Sequence, residues 1–253
     1  MEKLEKSLQI NPENSDAWFT LAWQYTRQKN YGKSDSLYTK GIQYAQGTSY
    51  ESLAWQAWIG AKIDQDSMEA AKKLAESALK TASETADGYV TRAIVYLLQQ
   101  DSMKALEAGQ KALELDPGNG IALKIMMQNY MAQKMYQEAI NITQGISLEK
   151  QWAGMYAEIF NHKAMAYNFS GQYDSAFAVI KRVIQRSPKY AAPYSTLAES
   201  YGFTGNTAAF FNSLEQSYAL GLQPDVIDWD SQPYIRYKHH AKARKLRKLY
   251  DKE

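Results

Sequence analysis

The sequence predicts an all-α fold built from repeated helix pairs, and three observations carry that expectation. Tyrosines recur in a fixed register, with Tyr96, Tyr130, Tyr167 and Tyr201 separated by 34, 37 and 34 residues. Residues at two other positions keep the same steps, from Ala93 through Met127 to Ala164 and Ala198, and from Ala105 to Ala139 and Ala176. Prolines close the period, Pro117 and Pro188 lying one 34-step and one 37-step apart. Counted backward, 34 residues before Tyr96 comes Lys62, and 37 before that comes Tyr25. A period of this length marks a supersecondary unit that cannot bury its apolar face alone, so neighbouring units must stack.

The unit is most complete in Tyr89–Pro117, with anchors Tyr89, Ala93, Tyr96, Ala105, Ala112 and Pro117. Alanines at 93 and 105 let two helices approach closely, and Pro117 stops the second, since proline cannot extend the helical ladder. The most literal form of the first half is Trp18-x2-Leu21-Ala22-x2-Tyr25. These residues resemble the tetratricopeptide (TPR) family, whose pattern is W-x2-L-G-x2-Y, then A-x3-F, then P over about 34 residues. The resemblance runs over nearly the whole chain, which is identified as a member of bacterial type. It implies a right-handed α-solenoid with a concave surface, a protein- or peptide-binding scaffold, and no catalysis.

Taken in order, residues 1–14 read as the second helix of a partial repeat ending at Pro12. Its first helix is missing, so the natural product is expected to extend N-terminally, because Leu4 and Leu8 otherwise lack half their partners; the alternative is that this helix is a simple cap. Six units follow at 15–48, 52–85, 86–119, 120–153, 157–190 and 191–224. Ser15 or Asp16 is expected to cap the first. That unit carries Ser34, Tyr38 and Gly41 where Ala, Phe and Ala are usual, and the second carries Lys62 in place of tyrosine. The fourth is rich in methionine, and three extra residues near Trp152–Met155 imply a longer helix or wider turn there. Gly171 in the fifth stands between helices, where positive φ is often required. The sixth places Phe210 at an alanine position. Residues 225–253 read as a short turn and then a long basic helix, with Tyr237, Ala241 and Leu249 inward. This resembles the closing segment that covers the last repeat of many bacterial TPR proteins.

Composition excludes several classes. Hydrophobic content of 45% is ample for burial, which argues against disorder. No apolar run approaches the roughly 20 residues of a membrane span, and no signal-peptide pattern opens the chain. With no cysteine there are no disulfides, thiolate metal sites or cysteine nucleophiles. The lack of cysteine does not fix the compartment, and a soluble chain is expected, cytoplasmic or, for a piece of an exported precursor, periplasmic. Net charge is +2 but divided: residues 234–253 hold eight Lys/Arg and two Asp/Glu, hence +6, leaving −4 for the rest.

In the TPR family the first helices line the groove through repeat positions 2, 5, 9 and 12. Positions 5 and 9 here are Phe19 and Trp23, Gln56 and Gly60, Val90 and Ile94, Lys124 and Gln128, Asn161 and Met165, and Ser195 and Glu199. The resemblance thus implies an apolar N-terminal half, suited to a helix or extended segment with bulky side chains. Lys124 and Asn161 would orient polar groups farther along, and only these two are similar to the carboxylate clamp of chaperone-binding TPR domains. Alternatively, Phe19 and Trp23 pack against a neighbouring helix. Catalysis has little to build on: the histidines are His162 and the pair His239-His240, without a zinc motif, phosphate loop, nucleophile elbow or dinucleotide fingerprint. Carboxylate pairs such as Asp64/Asp66 and Asp228/Asp230 read as turn and cap residues. No cofactor or metal is expected. The expected partner is a protein or peptide in the groove. A self-associating module, through an open N-terminal face, ranks second. A binder of nucleic acid or anionic membrane through Arg236–Lys248 ranks third, because no basic stripe continues from that helix.

Overall fold

Six helices of this chain begin where a short polar side chain replaces a missing backbone partner. The Oδ1 atoms of Asn14, Asn30, Asp101, Asn119 and Asn206 accept from the backbone N–H three residues on, at 3.0–3.4 Å, and Thr85 Oγ1 does the same at 3.2 Å. At the first of these sites the cap is Asn14 rather than Ser15 or Asp16, because Asn14 is the last non-helical residue and its side chain reaches Ala17 N.

The computed structural model describes residues 1–48, 50–147 and 153–250. Among these residues there are α-helices and 3-10 turns but no strand. Helix α1 (Glu2–Ile10) precedes the pairs α2 (Ser15–Arg27) and α3 (Tyr31–Ala45), α4 (Glu51–Asp64) and α5 (Met68–Thr81), and α6 (Ala86–Leu98) and α7 (Ser102–Leu115). Then come α8 (Gly120–Ala132) and α9 (Tyr136–Asn141), α10 (Ala153–Phe169) and α11 (Tyr173–Arg186), and α12 (Ala192–Phe203) and α13 (Thr207–Ala219). Short 3-10 turns at Pro224–Val226 and Tyr234–Tyr237 lead to α14 (Ala241–Tyr250). The chain forms two compact units, Met1–Ile125 and Met126–Glu253. Of the insertion expected near Trp152–Met155, Trp152 lies outside the described residues, and the helix that follows is 17 residues long.

One turn geometry joins the helices of each pair. The N–H five residues after Tyr25, Lys62, Tyr96, Tyr130, Tyr167 and Tyr201 returns to that residue's carbonyl at 2.8–3.0 Å. One residue earlier φ is positive, at Lys29, Asp66, Gln100, Lys134, Gly171 and Gly205. This is the Schellman ending, which satisfies helix carbonyls at the cost of one left-handed residue. Glycine supplies that conformation twice and a side-chain-bearing residue four times, so at Gly171 the requirement is met with the least strain.

Inside each pair, two positions keyed to the same tyrosine register are sealed. Three residues before it stand Ala22, Ile59, Ala93, Met127, Ala164 and Ala198, all fully buried. Nine residues after it stand Ser34, Ala71, Ala105, Ala139, Ala176 and Phe210, also fully buried. Departures from the usual residues have local partners. Ser34 Oγ donates to the Ala22 carbonyl at 3.0 Å, within 2.6 Å of Thr26 Oγ1. Lys62 Nζ meets Asp35 Oδ2 at 2.5 Å, while Trp58 Nε1 donates to Asp35 Oδ1 at 3.0 Å. An ion pair to the preceding helix thus replaces the tyrosine, and Lys62 keeps only 12% of its side chain exposed.

Gly41 is explained in the same way. A Cβ there would come within 2.4 Å of the Phe19 ring, which lies over the glycine and stacks against Tyr38 at 6.4 Å. We predict that Gly41→Ala lowers stability by on the order of 1–3 kcal/mol in urea unfolding, the usual cost of overpacking. The higher helix propensity of alanine works in the opposite direction, so an unchanged or raised midpoint would show that the ring is free to move away.

Candidate functional site

Successive first helices touch, α2 with α4 and α4 with α6 in the N-terminal unit, and α10 with α12 in the C-terminal unit. The contact consumes several of the residues expected to face a ligand. Gln56 is buried on α4 and its Nε2 donates to the Asp87 carbonyl at 2.9 Å and Thr91 Oγ1 at 3.0 Å on α6. Val90 is fully buried and Ile94 half-buried in the α6 packing. Phe19 is half-buried over Gly41 and belongs to the core of its pair. Trp23 differs: it stays 51% exposed, with the Arg27 guanidinium 5.0 Å above its ring.

Lys124 is half-buried on α8. Gln128 is exposed on the same helix, its Nε2 3.5 Å from Glu158 Oε1. Asn161 is buried with its Nδ2 4.0 Å from the sulfur of half-buried Met165, and its Oδ1 has no hydrogen-bond partner. His162 Nδ1 lies 3.0 Å from the Glu158 carbonyl, and His240 stacks on Phe211 at 4.6 Å. Among the described residues no group of three or more His, Cys, Asp or Glu side chains could hold a metal ion, and no helix is long and apolar enough to cross a membrane.

Ser195 and Glu199 on α12 are buried beneath the chain's own C-terminal segment. The Tyr234 hydroxyl donates to Glu199 Oε1 at 3.3 Å, and the Tyr237 hydroxyl to the Gly202 carbonyl at 3.3 Å. Arg236 Nη1 reaches that same carbonyl at 3.2 Å. Gly202 is small because Pro233 lies on it: a Cβ there would stand 2.8 Å from the proline ring. A 3-10 turn brings residues i and i+3 onto one side, which lets both tyrosines reach α12. The expected single long basic helix is therefore broken. Helix α14 starts only at Ala241, and its inward residues are Ala243 and Leu246, while Ala241 and Leu249 are exposed.

A family model for the tetratricopeptide repeat matches residues 3–36, and a second matches residues 157–190. These two segments are tetratricopeptide repeats. Among solved structures it is similar to the APC/C hetero-tetramer Cut9-Hcn1, at 16% identity over 98% of this chain and 45% of that one, with a TM-score of 0.67. It is also similar to PilW, described as a widely conserved type IV pilus biogenesis factor, at 16% identity over 92% and 97% of the two chains and a TM-score of 0.63. MamA matches at 17% identity over 63% of this chain and 91% of its own, with a TM-score of 0.51. The chain spans less than half of the Cut9-Hcn1 chain it matches, and at these identities the likeness is one of fold, an all-α repeat solenoid. No curated protein sequence matches it significantly.

Within the TPR frame, the exposed apolar side chains of the N-terminal first helices fall mainly at positions 2 and 12. Leu53, Ile63 and Leu97 are 39%, 40% and 37% exposed, alongside Trp23 at position 9. Reading positions 5 and 9 alone misses all three, whereas all four groove positions of the same frame contain them. The last pair offers no such surface, because the C-terminal segment covers it. We predict that deleting residues 225–253 uncovers Phe210, Phe211 and Tyr218 and causes aggregation or a fall in melting temperature of several degrees. An unchanged melt of a monomeric truncate would contradict the covering role.

Proposed function

We propose that this TPR protein is a non-catalytic scaffold that holds a protein or peptide segment on the first helices of its N-terminal unit. The observation that carries the reading is the set of exposed large apolar side chains there: Trp23 on α2, Leu53 and Ile63 on α4, and Leu97 on α6. Helices that touch in sequence order present these side chains to one occupant, and a side chain at each site suits an amphipathic helix or an extended segment. Exposed apolar area concentrated in this way is costly in water unless a partner covers it. The Arg27 guanidinium over Trp23 adds a donor at one edge for a polar or acidic group of the ligand.

Trp23 carries the largest share of the expected affinity, as buried aromatics at interfaces do. Replacing it with alanine should cost about 2 kcal/mol of binding, roughly a 30-fold loss of affinity, with the melting temperature unchanged. Phe19→Ala should lower the melting temperature, because that ring fills the space over Gly41. The test measures partner capture from the native cell by the wild type, a Trp23→Ala/Leu97→Ser variant and a Met103→Ser control, Met103 being 84% exposed on α7. Loss of the partner in the double variant alone supports the groove. Equal capture by all three contradicts it.

A further inference from the structure

Glu199 sits where a charged carboxylate is poorly tolerated. It is only 8% exposed, and its contacts come from neutral groups. The Tyr234 hydroxyl donates to Oε1 at 3.3 Å, Oε2 has no hydrogen-bond partner, and the neighbouring Asn168 on α10 gives its Nδ2 hydrogen bond to the Thr196 carbonyl at 3.3 Å. On the covering segment Arg236 has its guanidinium engaged by the Gly202 carbonyl, at 3.2 Å. From α13 the titratable neighbour is Tyr218, which acts on Tyr234 rather than on the carboxyl. Burial without a counter-charge favours the neutral acid. It raises the Glu199 pKa from 4.5 to about 7, the Tyr234 hydroxyl and the nearby Asn168 amide offsetting only part of the effect. The Tyr234 phenol is pushed upward by burial and by the neighbouring carboxyl, and so stays a donor.

We propose that Glu199 is a pH-operated latch: protonated, it lets the Pro233–Tyr237 segment close over α12, and ionised, it loosens that segment and opens the face carrying Ser195, Glu199 and Gly202. The latch belongs to the C-terminal unit alone and stands whether or not the N-terminal groove binds a peptide. Its direction follows from linkage. In the open state the carboxyl is hydrated and has its ordinary affinity for protons, so the closed state binds the proton more tightly. The closed state therefore has its full stability below the ordinary carboxylate range and loses stability as pH rises through about 7. Between pH 6 and pH 8 the opening equilibrium should rise on the order of tenfold.

Amide hydrogen exchange across residues 227–247 of the full chain, corrected for the intrinsic pH dependence of exchange, reads this equilibrium directly. The expected result is a loss of protection on the order of tenfold from pH 6 to pH 8 in the wild type. Glu199→Gln, which keeps an oxygen for the Tyr234 hydroxyl, should show no such loss. Tyr234→Phe removes a donor that favours the ionised form, so it should keep the pH dependence and move its midpoint upward. Wild-type protection equal at the two pH values would overturn the latch, as would an unchanged pH dependence in the glutamine variant or its disappearance in the phenylalanine variant.

Discussion

The contact between the two helices of a pair constrains everything else in this fold, because it is sealed at two points with little room to spare. Ala93 and Ala105 show it in its plainest form, both fully buried. With a methyl group on each side the backbones come close, and the larger side chains, such as Tyr89 and Tyr96, are displaced to the flanks. A protein interior is packed as densely as an organic crystal, so volume added at one such point must be removed from its neighbour. The Schellman turn four and five residues after each repeat tyrosine then fixes where the second helix starts, and hence which residues meet.

That constraint accounts for the residues that break the repeat pattern. Gly41 is small because Phe19 is large and lies on it. Lys62 replaces a tyrosine because Asp35 is there to pair with it, and Trp58 shares the same carboxylate. Phe210 replaces an alanine because it is covered by the C-terminal segment, stacking on Tyr237 at 4.2 Å. Gly202 is the matching concession on α12, where Pro233 takes the space. Each exception is half of a pair whose other half lies in an adjoining helix or turn.

The same logic separates what was legible in the sequence from what was not. Helix pairs and their all-α class were readable because burial at a fixed spacing leaves small residues at that spacing, and turns leave their own mark at Gly171 and Gly205. Exposure at the candidate groove was less readable. Repeat position gives the direction of a side chain, but whether that direction ends in solvent depends on the adjoining helix. Gln56 points to Thr91, Phe19 to Gly41 and Glu199 to Tyr234, whereas Trp23 and Leu97 keep solvent before them. The break in the closing basic stretch was hidden for a related reason. Tyr234 and Tyr237 are ordinary helix residues by pattern, and it is their hydroxyl contacts with α12 that hold them in a 3-10 turn instead.

The central claim, that sealed close contacts within each pair set the fold, is tested most directly at Ala93. Urea unfolding of Ala93→Leu against the wild type measures whether the site has room. Val90, Ala108 and Ala112 share its buried cluster, and the two alanine methyls cannot retreat without moving a backbone. The account predicts a loss of at least about 2 kcal/mol or a less cooperative transition, as overpacked cores show. A midpoint equal to or above that of the wild type would contradict it, since leucine could then be accommodated without disturbing the pair.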